Sequence, residues 1–241
     1  MCEAIVAQLT HRLRRALPLR ELGFHALEYT TDSFSLSAFA SAGLALPPSI
    51  VRSVEKRQAE FYFGRFCARE ALRQLGTVGT DVLIGAGRAP GWPAGLVGSI
   101  THTGKMAAAI VGHRRQCAGI GIDIELPIAP DLVDGIALSV ARDGELSAVA
   151  SAGAFDVAQA LTLIFSAKEA FFKASYAAVN DYFDFSVASL VDLDTQEKIA
   201  RLRLHNTLGP GFPAGAIFDI HYEVLSDGSV FTMCVHCVIV H

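Results

Sequence analysis

GIGIDIE, residues 119–125, reads as an extended strand with two unlike faces. Successive side chains of a strand point to opposite sides, so Asp123 and Glu125 project from one face while Ile122 and Ile124 pack on the other. Just upstream, MAAAIVG (106–112) has the apolar composition of another strand, and the turn signals from Gly112 to Gln116 join the two into a predicted hairpin. Downstream, AFDVAQALTLIFSAKEAFFKASYAAV (154–179) carries the period of a long, largely buried helix, with Lys168, Glu169 and Lys173 well inside it. The tail, GAIFDIHYEVLSDGSVFTMCVHCVIV (215–240), alternates apolar and polar residues across a turn at Ser226, Asp227 and Gly228, which predicts a second hairpin. In the N-terminal half, PSIVRSVEKRQAEFYFGRFCAREALRQLG (48–76) predicts another long helix, with Ser49 as N-cap, Gly76 as stop and a break near Gly64. Each half is thus one major helix with antiparallel strands. We expect an α+β fold of two similar lobes, 1–118 and 119–241.

The chain has 241 residues, 51% of them hydrophobic and 18% charged, which is ample for a core and too apolar for disorder. No stretch reaches the roughly 18 uninterrupted apolar residues of a spanning helix. The opening MCEAIVAQLTHRLRRALPLR puts Glu3 and four arginines where an export signal would be apolar, so a cytoplasmic protein is expected. A formal charge of −4 lacks the basic footprint that nucleic-acid phosphates require, which argues against nucleic acid as a partner. Five scattered cysteines (Cys2, Cys67, Cys117, Cys234, Cys237) suit reduced thiols rather than a disulfide framework. CVHC (234–237) has metal-site spacing, but it sits in the β-branched run SVFTMCVHCVIVH, where strand packing is the expected role.

Two carboxylates on one strand face repel unless a cation lies between them, and paired oxygens are what a hard cation such as Mg²⁺ takes. Plain solvation at a strand end fits the same pair, and the motif alone does not choose. On the helix, Glu169 and Lys173 stand four apart and share a face, with Lys168 about 100° round. Their flanks, LIF and AFF, are apolar, and charges in such a setting call for a buried partner or a function. A third carboxylate beside two cations suits a divalent ion that also holds phosphate; Mn²⁺ accepts the same donors as Mg²⁺. Arg57, Arg65, Arg69 and Arg73 recur at multiples of four. They form either a solvated face balanced by Glu60 and Glu70 or, through Arg57 and Arg65, a wall for a phosphorylated ligand. His102, in GLVGSITHTG (95–104), is either a core histidine or a phosphate ligand that small neighbours let the backbone approach.

In this order and at these separations, KRQAEFYFGRFCAREAL (56–72), GRAPGWPAGLVGSITHTGKMAAAIV (87–111), GIGIDIE and FSAKEAFFKA (165–174) resemble the motifs of the 4′-phosphopantetheinyl transferases, most closely the branch of the enterobactin synthase D component. Four motifs in register are specific where one is not. The resemblance implies that family's fold, two α+β lobes related by a pseudo-twofold, with the coenzyme A side in the first lobe and the metal ligands in the second. It implies Asp123, Glu125 and Glu169 as ligands of Mg²⁺ or Mn²⁺, and Glu169 as the candidate base. Lys173 is implied beside the diphosphate, with Lys168 in the same contact set. His102, Ser99 and Thr101 are implied at the 3′-phosphate of coenzyme A, and Arg57, Arg65 and Arg88 around its adenine and phosphates. Thr101 stands where many relatives have serine and Phe165 where many have tryptophan; the hydroxyl and the aromatic bulk are kept.

The implied reaction moves the phosphopantetheine arm of coenzyme A to a serine of an apo acyl, aryl or peptidyl carrier protein, in siderophore or other secondary metabolism, and releases adenosine 3′,5′-bisphosphate. Such carriers are acidic, so Arg12, Arg14, Arg15 and Arg20, or Arg114 with Arg115, are candidate docking patches. Two fused lobes imply a monomer. One alternative is another Mg²⁺-dependent phosphotransferase or hydrolase, against which no G-x-x-x-x-G-K-[ST] loop occurs. Another is a non-catalytic module that holds coenzyme A or a carrier protein, against which the three carboxylates and Lys173 are retained.

Overall fold

The structure, a computed structural model, describes Leu9, residues 22–153 and residues 155–237. The chain divides into two compact units, the first closing at Ala118 and the second running Gly119–Cys237. The first contains β1 (Leu22–Glu28), α1 (Ser37–Ala42), α2 (Pro48–Val51), α3 (Glu55–Gln74), the short β2 (Leu83–Ile84) and β3 (Pro90–Gly91), β4 (Leu96–His102) and β5 (Met106–His113). Its main sheet is antiparallel in the order β1-β5-β4. Helix α3 turns Phe61, Gly64, Cys67, Ala68, Ala71 and Leu72 inward, a face that recurs every three to four residues. Ala107, Ala109 and Val111 of β5 share the core with it. Gly23 lets β1 lie directly on the helix: a Cβ there would stand 1.9 Å from the carbonyl oxygen of Ala71.

The N-terminal helical pattern resolves into two helices, divided at residues 52–54. Ser49 is not the N-cap; it lies inside α2, which Pro47 caps. The interruption is held by Gln58, whose Nε2 donates to the carbonyls of Val51 (3.0 Å) and Ser53 (2.9 Å) and so satisfies groups that a continuous helix would have used itself. At Gly64, where a break was expected, α3 runs on. The glycine is there for space, since a Cβ would meet Ile100 Cγ2 at 2.9 Å. Gly76 does stop the helix, with φ +76°. Its N–H donates to Arg73 O (3.0 Å) and that of Thr77 to Leu72 O (3.1 Å), a closure that needs a left-handed residue at this point.

The second unit takes in most of β6 (Cys117–Glu125), then α4 (Val133–Val140), α5 (Glu145–Gly153), α6 (Val157–Val179), β7 (Ala188–Asp194), β8 (Ile199–Leu204), β9 (Ile217–Val224) and β10 (Val230–Cys237). Its sheet runs β6-β10-β9-β8-β7. Asp156 and Gln159 start α6 with a reciprocal capping box, and Asn180 ends it in the left-handed region. The helix is pinned to β10 by buried hydroxyls: Ser166 Oγ and Thr232 Oγ1 lie 2.8 Å apart, and Thr232 Oγ1 also donates to Ser166 O at 2.8 Å. The β9–β10 hairpin forms as its alternation predicts, turning through Gly228 at φ +83°.

The mid-chain hairpin does not form. Both edges of β5 are occupied, by β1 and β4, so β6 joins β10 in the other sheet and the turn at 114–116 becomes a change of sheet. Cys234 is buried and Cys237 exposed, three positions apart on one strand and hence on opposite faces, so CVHC packs instead of ligating. Among the described residues no single helix is long and apolar enough to cross a membrane.

Candidate active site

In the second unit, Gly119 and Gly121 set the geometry. A Cβ at Gly119 would stand 1.8 Å from Ala174 O, and one at Gly121 1.9 Å from Ala170 O, so β6 lies directly on the backbone of α6. The same face of β6 continues into Asp123 and Glu125, which therefore come to the helix face that carries Glu169 and Lys173. Ile122 and Ile124 are buried on the other side, as expected. Lys173 Nζ donates to Asp123 Oδ1 at 2.7 Å and to Ile122 O at 3.2 Å, so the lysine turns to the strand rather than to Glu169 four residues earlier. Burial, then the Asp123 charge, and also Glu169 push the Glu125 carboxyl up to about 7, against the pull of Lys173. Burial likewise holds Glu169 above the usual carboxylate range; Lys173 lowers it and Asp123 raises it. Three carboxylates thus share one neighbourhood with one ammonium.

Oxygen donors carrying surplus negative charge are the chemistry a divalent cation relieves, and in that sense the residues fit one. They are not preset for it. Among the described residues, no three His, Cys, Asp or Glu side chains are gathered as a metal-holding group, and the ammonium of Lys173 already neutralises Asp123. Beside Glu169 a small cavity of about 50 Å³ is walled by Phe172, Tyr182, Phe183 and Phe185.

In the first unit a cavity of about 390 Å³ is lined by Arg57, Arg65, Arg88 and His102, with Glu60, Ser49, Ser53 and the apolar Phe61, Ile84 and Ile100. Helix α3 supplies Arg57 and Arg65, eight residues apart on one face, and β4 supplies His102. Gly64 between the arginines lets the strand come near enough: His102 Cδ2 would stand 4.0 Å from its Cβ. Arg57 Nη1 donates to His102 Nε2 at 3.1 Å. Arg65 stacks 4.6 Å from the Phe61 ring centroid, and its buried Nε has no hydrogen-bond partner. Burial and the neighbouring Arg57 charge push Arg65 down to about 10. Arg88 holds φ +66°, a strained value for a side-chain-bearing residue. A basin of three guanidiniums with one unsatisfied N–H has the donor chemistry that an anion takes.

Three expected contacts differ. Ser99 and Thr101 are both buried, and neither lines the basin. Alternation along β4 turns Ile100 and His102 toward α3 and these two hydroxyls to the opposite face. Lys168, expected at the coenzyme, is 3% exposed and spends its protons on Val140 O (2.7 Å), Glu145 Oε2 (2.9 Å) and Phe185 O (3.3 Å). None is left for a phosphate. Its partner Glu145, itself buried, also accepts from the backbone N–H groups of Arg142 and Leu190, tying α5 and β7 to the turn of α6 next to Glu169. Sequence reasoning missed Glu145; the apolar flanks of Lys168 called for a buried partner, but nothing in RDGELSAVA (142–150) marks this acid as the one. Arg114 and Arg115 are exposed, while Arg12, Arg14, Arg15 and Arg20 lie outside the described residues.

Comparison with known proteins covers both units. The family model described as 4′-phosphopantetheinyl transferase N-terminal domain matches residues 47–112, and that described as 4′-phosphopantetheinyl transferase superfamily matches residues 119–228. The chain is 41% identical over 156 residues to 4′-phosphopantetheinyl transferase Svp of Streptomyces mobaraensis, an alignment that covers 64% of this chain and 62% of that one. It is 37% identical over 145 residues to 4′-phosphopantetheinyl transferase PptT of Mycobacterium tuberculosis, covering 59% and 62%. It is 33% identical over 183 residues to enterobactin synthase component D of Escherichia coli, covering 75% and 78%. The match thus spans 62% of the length of the first two relatives.

Proposed function

Because the chain belongs to the 4′-phosphopantetheinyl transferase superfamily, we propose that it transfers the phosphopantetheine arm of coenzyme A to a serine of an apo carrier protein. The observation that carries the reading is the packing of Gly119 and Gly121 on α6, which brings Asp123 and Glu125 to Glu169 and Lys173. In this reaction the serine oxygen bonds to the β-phosphorus, and the bond from that phosphorus to the bridging oxygen breaks, releasing adenosine 3′,5′-bisphosphate. Such transfer asks little covalent chemistry of a protein; it asks for alignment and for neutralisation of charge on the bridging and terminal oxygens.

The basin of the first unit is assigned the 3′-phosphate and adenine end, through Arg57, Arg65, Arg88 and His102. The cluster of the second unit is assigned the diphosphate. Asp123, Glu125 and Glu169 would hold a divalent cation, Mg²⁺ or Mn²⁺, which when bound supplies Lewis-acid charge neutralisation at the diphosphate. Lys173 gives the departing phosphate a second cation. Glu169, held by burial above the usual carboxylate range, is the base that takes the serine proton. Ser99, Thr101 and Lys168 are given no contact in this reading, for the reasons of geometry above. The carrier proteins are acidic and meet exposed Arg114 and Arg115; the location is the cytoplasm and the working form a monomer. Siderophore or related secondary metabolism is the setting.

The test is direct. Purified protein is incubated with coenzyme A, Mg²⁺ and a panel of apo acyl, aryl and peptidyl carrier proteins, and each carrier is weighed. A mass gain of one phosphopantetheine, lost with a chelator and in Glu169→Gln, supports the reading. No gain on any carrier contradicts it.

A further inference from the structure

Among the described residues that line the basin, Glu60 is the one carboxylate, set beside three arginines, and a negative charge there repels an anion the basin would take. Its surroundings explain why it is kept. Glu60 Oε2 lies 3.6 Å from Arg57 Nη1 and 3.7 Å from His102 Nδ1, with its side chain 14% exposed. Arg57 Nη1 meets the other imidazole nitrogen, Nε2, at 3.1 Å. A guanidinium only donates, so Nε2 must accept. An imidazole that accepts at Nε2 carries its ring proton on Nδ1, the nitrogen on the Glu60 side. A phosphate oxygen also only accepts. His102 Nε2 cannot bind one until it gains a proton and Arg57 swings off it.

We propose that Glu60 is the positioning residue of the phosphate subsite: by facing Nδ1 it stabilises the imidazolium, so that a phosphate monoester binds together with one proton taken up by His102, while Arg57 moves from His102 to the phosphate. The inference rests on the coenzyme reading of the basin. It replaces one hydrogen bond, Arg57 to His102, by two charge-assisted bonds to the ligand, and it leaves the imidazolium paired with Glu60.

Among the described residues that line the basin or pair within it, other charged groups stand near His102. On α3 these are Lys56, Arg57, Glu60 and Arg65, and at the tight turn beside β3 it is Arg88. On the neighbouring strand β5 the residue paired with His102 is Ala107. Tyr29, which the Glu60 charge reaches, is held near 12 chiefly by burial, and Arg65 near 10. At about pH 8 both keep their protons, and a phosphate monoester, whose second ionisation lies near about 6, is already a dianion.

The test is calorimetric titration of the full-length protein with adenosine 3′,5′-bisphosphate at about pH 8 in buffers of different ionisation heat, with adenosine as the ligand that carries no phosphate. Expected is uptake of about one proton with the bisphosphate and none with adenosine. His102→Asn should abolish the uptake, and Glu60→Gln should reduce it and weaken bisphosphate binding roughly tenfold. Glu60→Asp, which keeps the charge, should recover part of both, and melting curves identify any variant that has not folded. A bisphosphate that binds with no proton uptake, or a folded Glu60→Gln protein with undiminished uptake, overturns the inference and leaves the coenzyme reading intact. Failure of the wild type to bind the bisphosphate overturns both.

Discussion

Lys168 and Lys173 lie five residues apart on α6 and serve opposite ends. Lys173 is 26% exposed in its side chain and reaches the acidic cluster; Lys168 is 3% exposed and faces only protein. Burial lowers the proton affinity of Lys168, and Glu145 raises it in turn. Such a pair adds little net stability, but losing one partner strands the other charge, at about 3–5 kcal/mol. Lys168→Met should therefore cost that much in urea denaturation, whereas Lys168→Met with Glu145→Gln should recover most of it, because the amide still accepts from the Leu190 N–H. A single variant as stable as the wild type would contradict this. His236 offers a pH handle. It sits edge-on to Phe212 with ring centroids 4.8 Å apart, and burial holds it below its ordinary value of 6.5. A lowered histidine binds fewer protons folded than unfolded, so its contribution is complete above 6.5 and is lost as pH falls through the lowered value. His236→Phe should gain stability relative to wild type as the pH drops below about 6.5; a difference independent of pH would contradict the assignment.

Glycines control how closely helix and sheet approach, and the two decisive positions differ in what a methyl group would strike. At Gly121 it would meet the backbone carbonyl of Ala170 at 1.9 Å, which cannot yield without moving β6 off α6. At Gly64 it would meet only Ile100 Cγ2, at 2.9 Å, and that side chain can shift. Alanine also gains about 1 kcal/mol over glycine in a helix interior, which offsets the crowding at Gly64. Gly121→Ala should thus cost about 1–3 kcal/mol or more and scatter the carboxylates, while Gly64→Ala stays near neutral in stability. Denaturation of both variants checks the ranking; a greater loss at Gly64 would reverse the argument.

The same elements show what the sequence could disclose. Alternation in GIGIDIE placed Asp123 and Glu125 on one face, because strand periodicity is local. The mid-chain hairpin failed because a turn signal reports reversal, not pairing, and the partners of β5 come from β1, some 80 residues upstream, and from β4. Ser99 and Thr101 were placed beside His102 by the family resemblance, yet they stand three residues and one residue before it, and odd offsets along a strand turn side chains to opposite faces. Glu145 stayed hidden because its partner is 23 residues away and the acid at a helix start looks ordinary.

Both units repeat one device, a long helix laid on antiparallel strands and brought close by glycine: Gly23 against Ala71 in the first, Gly119 and Gly121 against Ala174 and Ala170 in the second. The first unit uses the device to frame a cationic basin and the second to gather acids, within a chain whose net charge is only −4. The acidic cluster stands with Lys173 on Asp123, and the functional reading requires it to rearrange around a cation. A crystal of the protein grown with coenzyme A and Mn²⁺, measured at the manganese absorption edge, tests this most directly. The account predicts one anomalous peak within bonding distance of carboxylate oxygens from Asp123, Glu125 and Glu169, with Lys173 turned away from Asp123 toward the diphosphate. A peak elsewhere, or none with Lys173 still on Asp123, would contradict it.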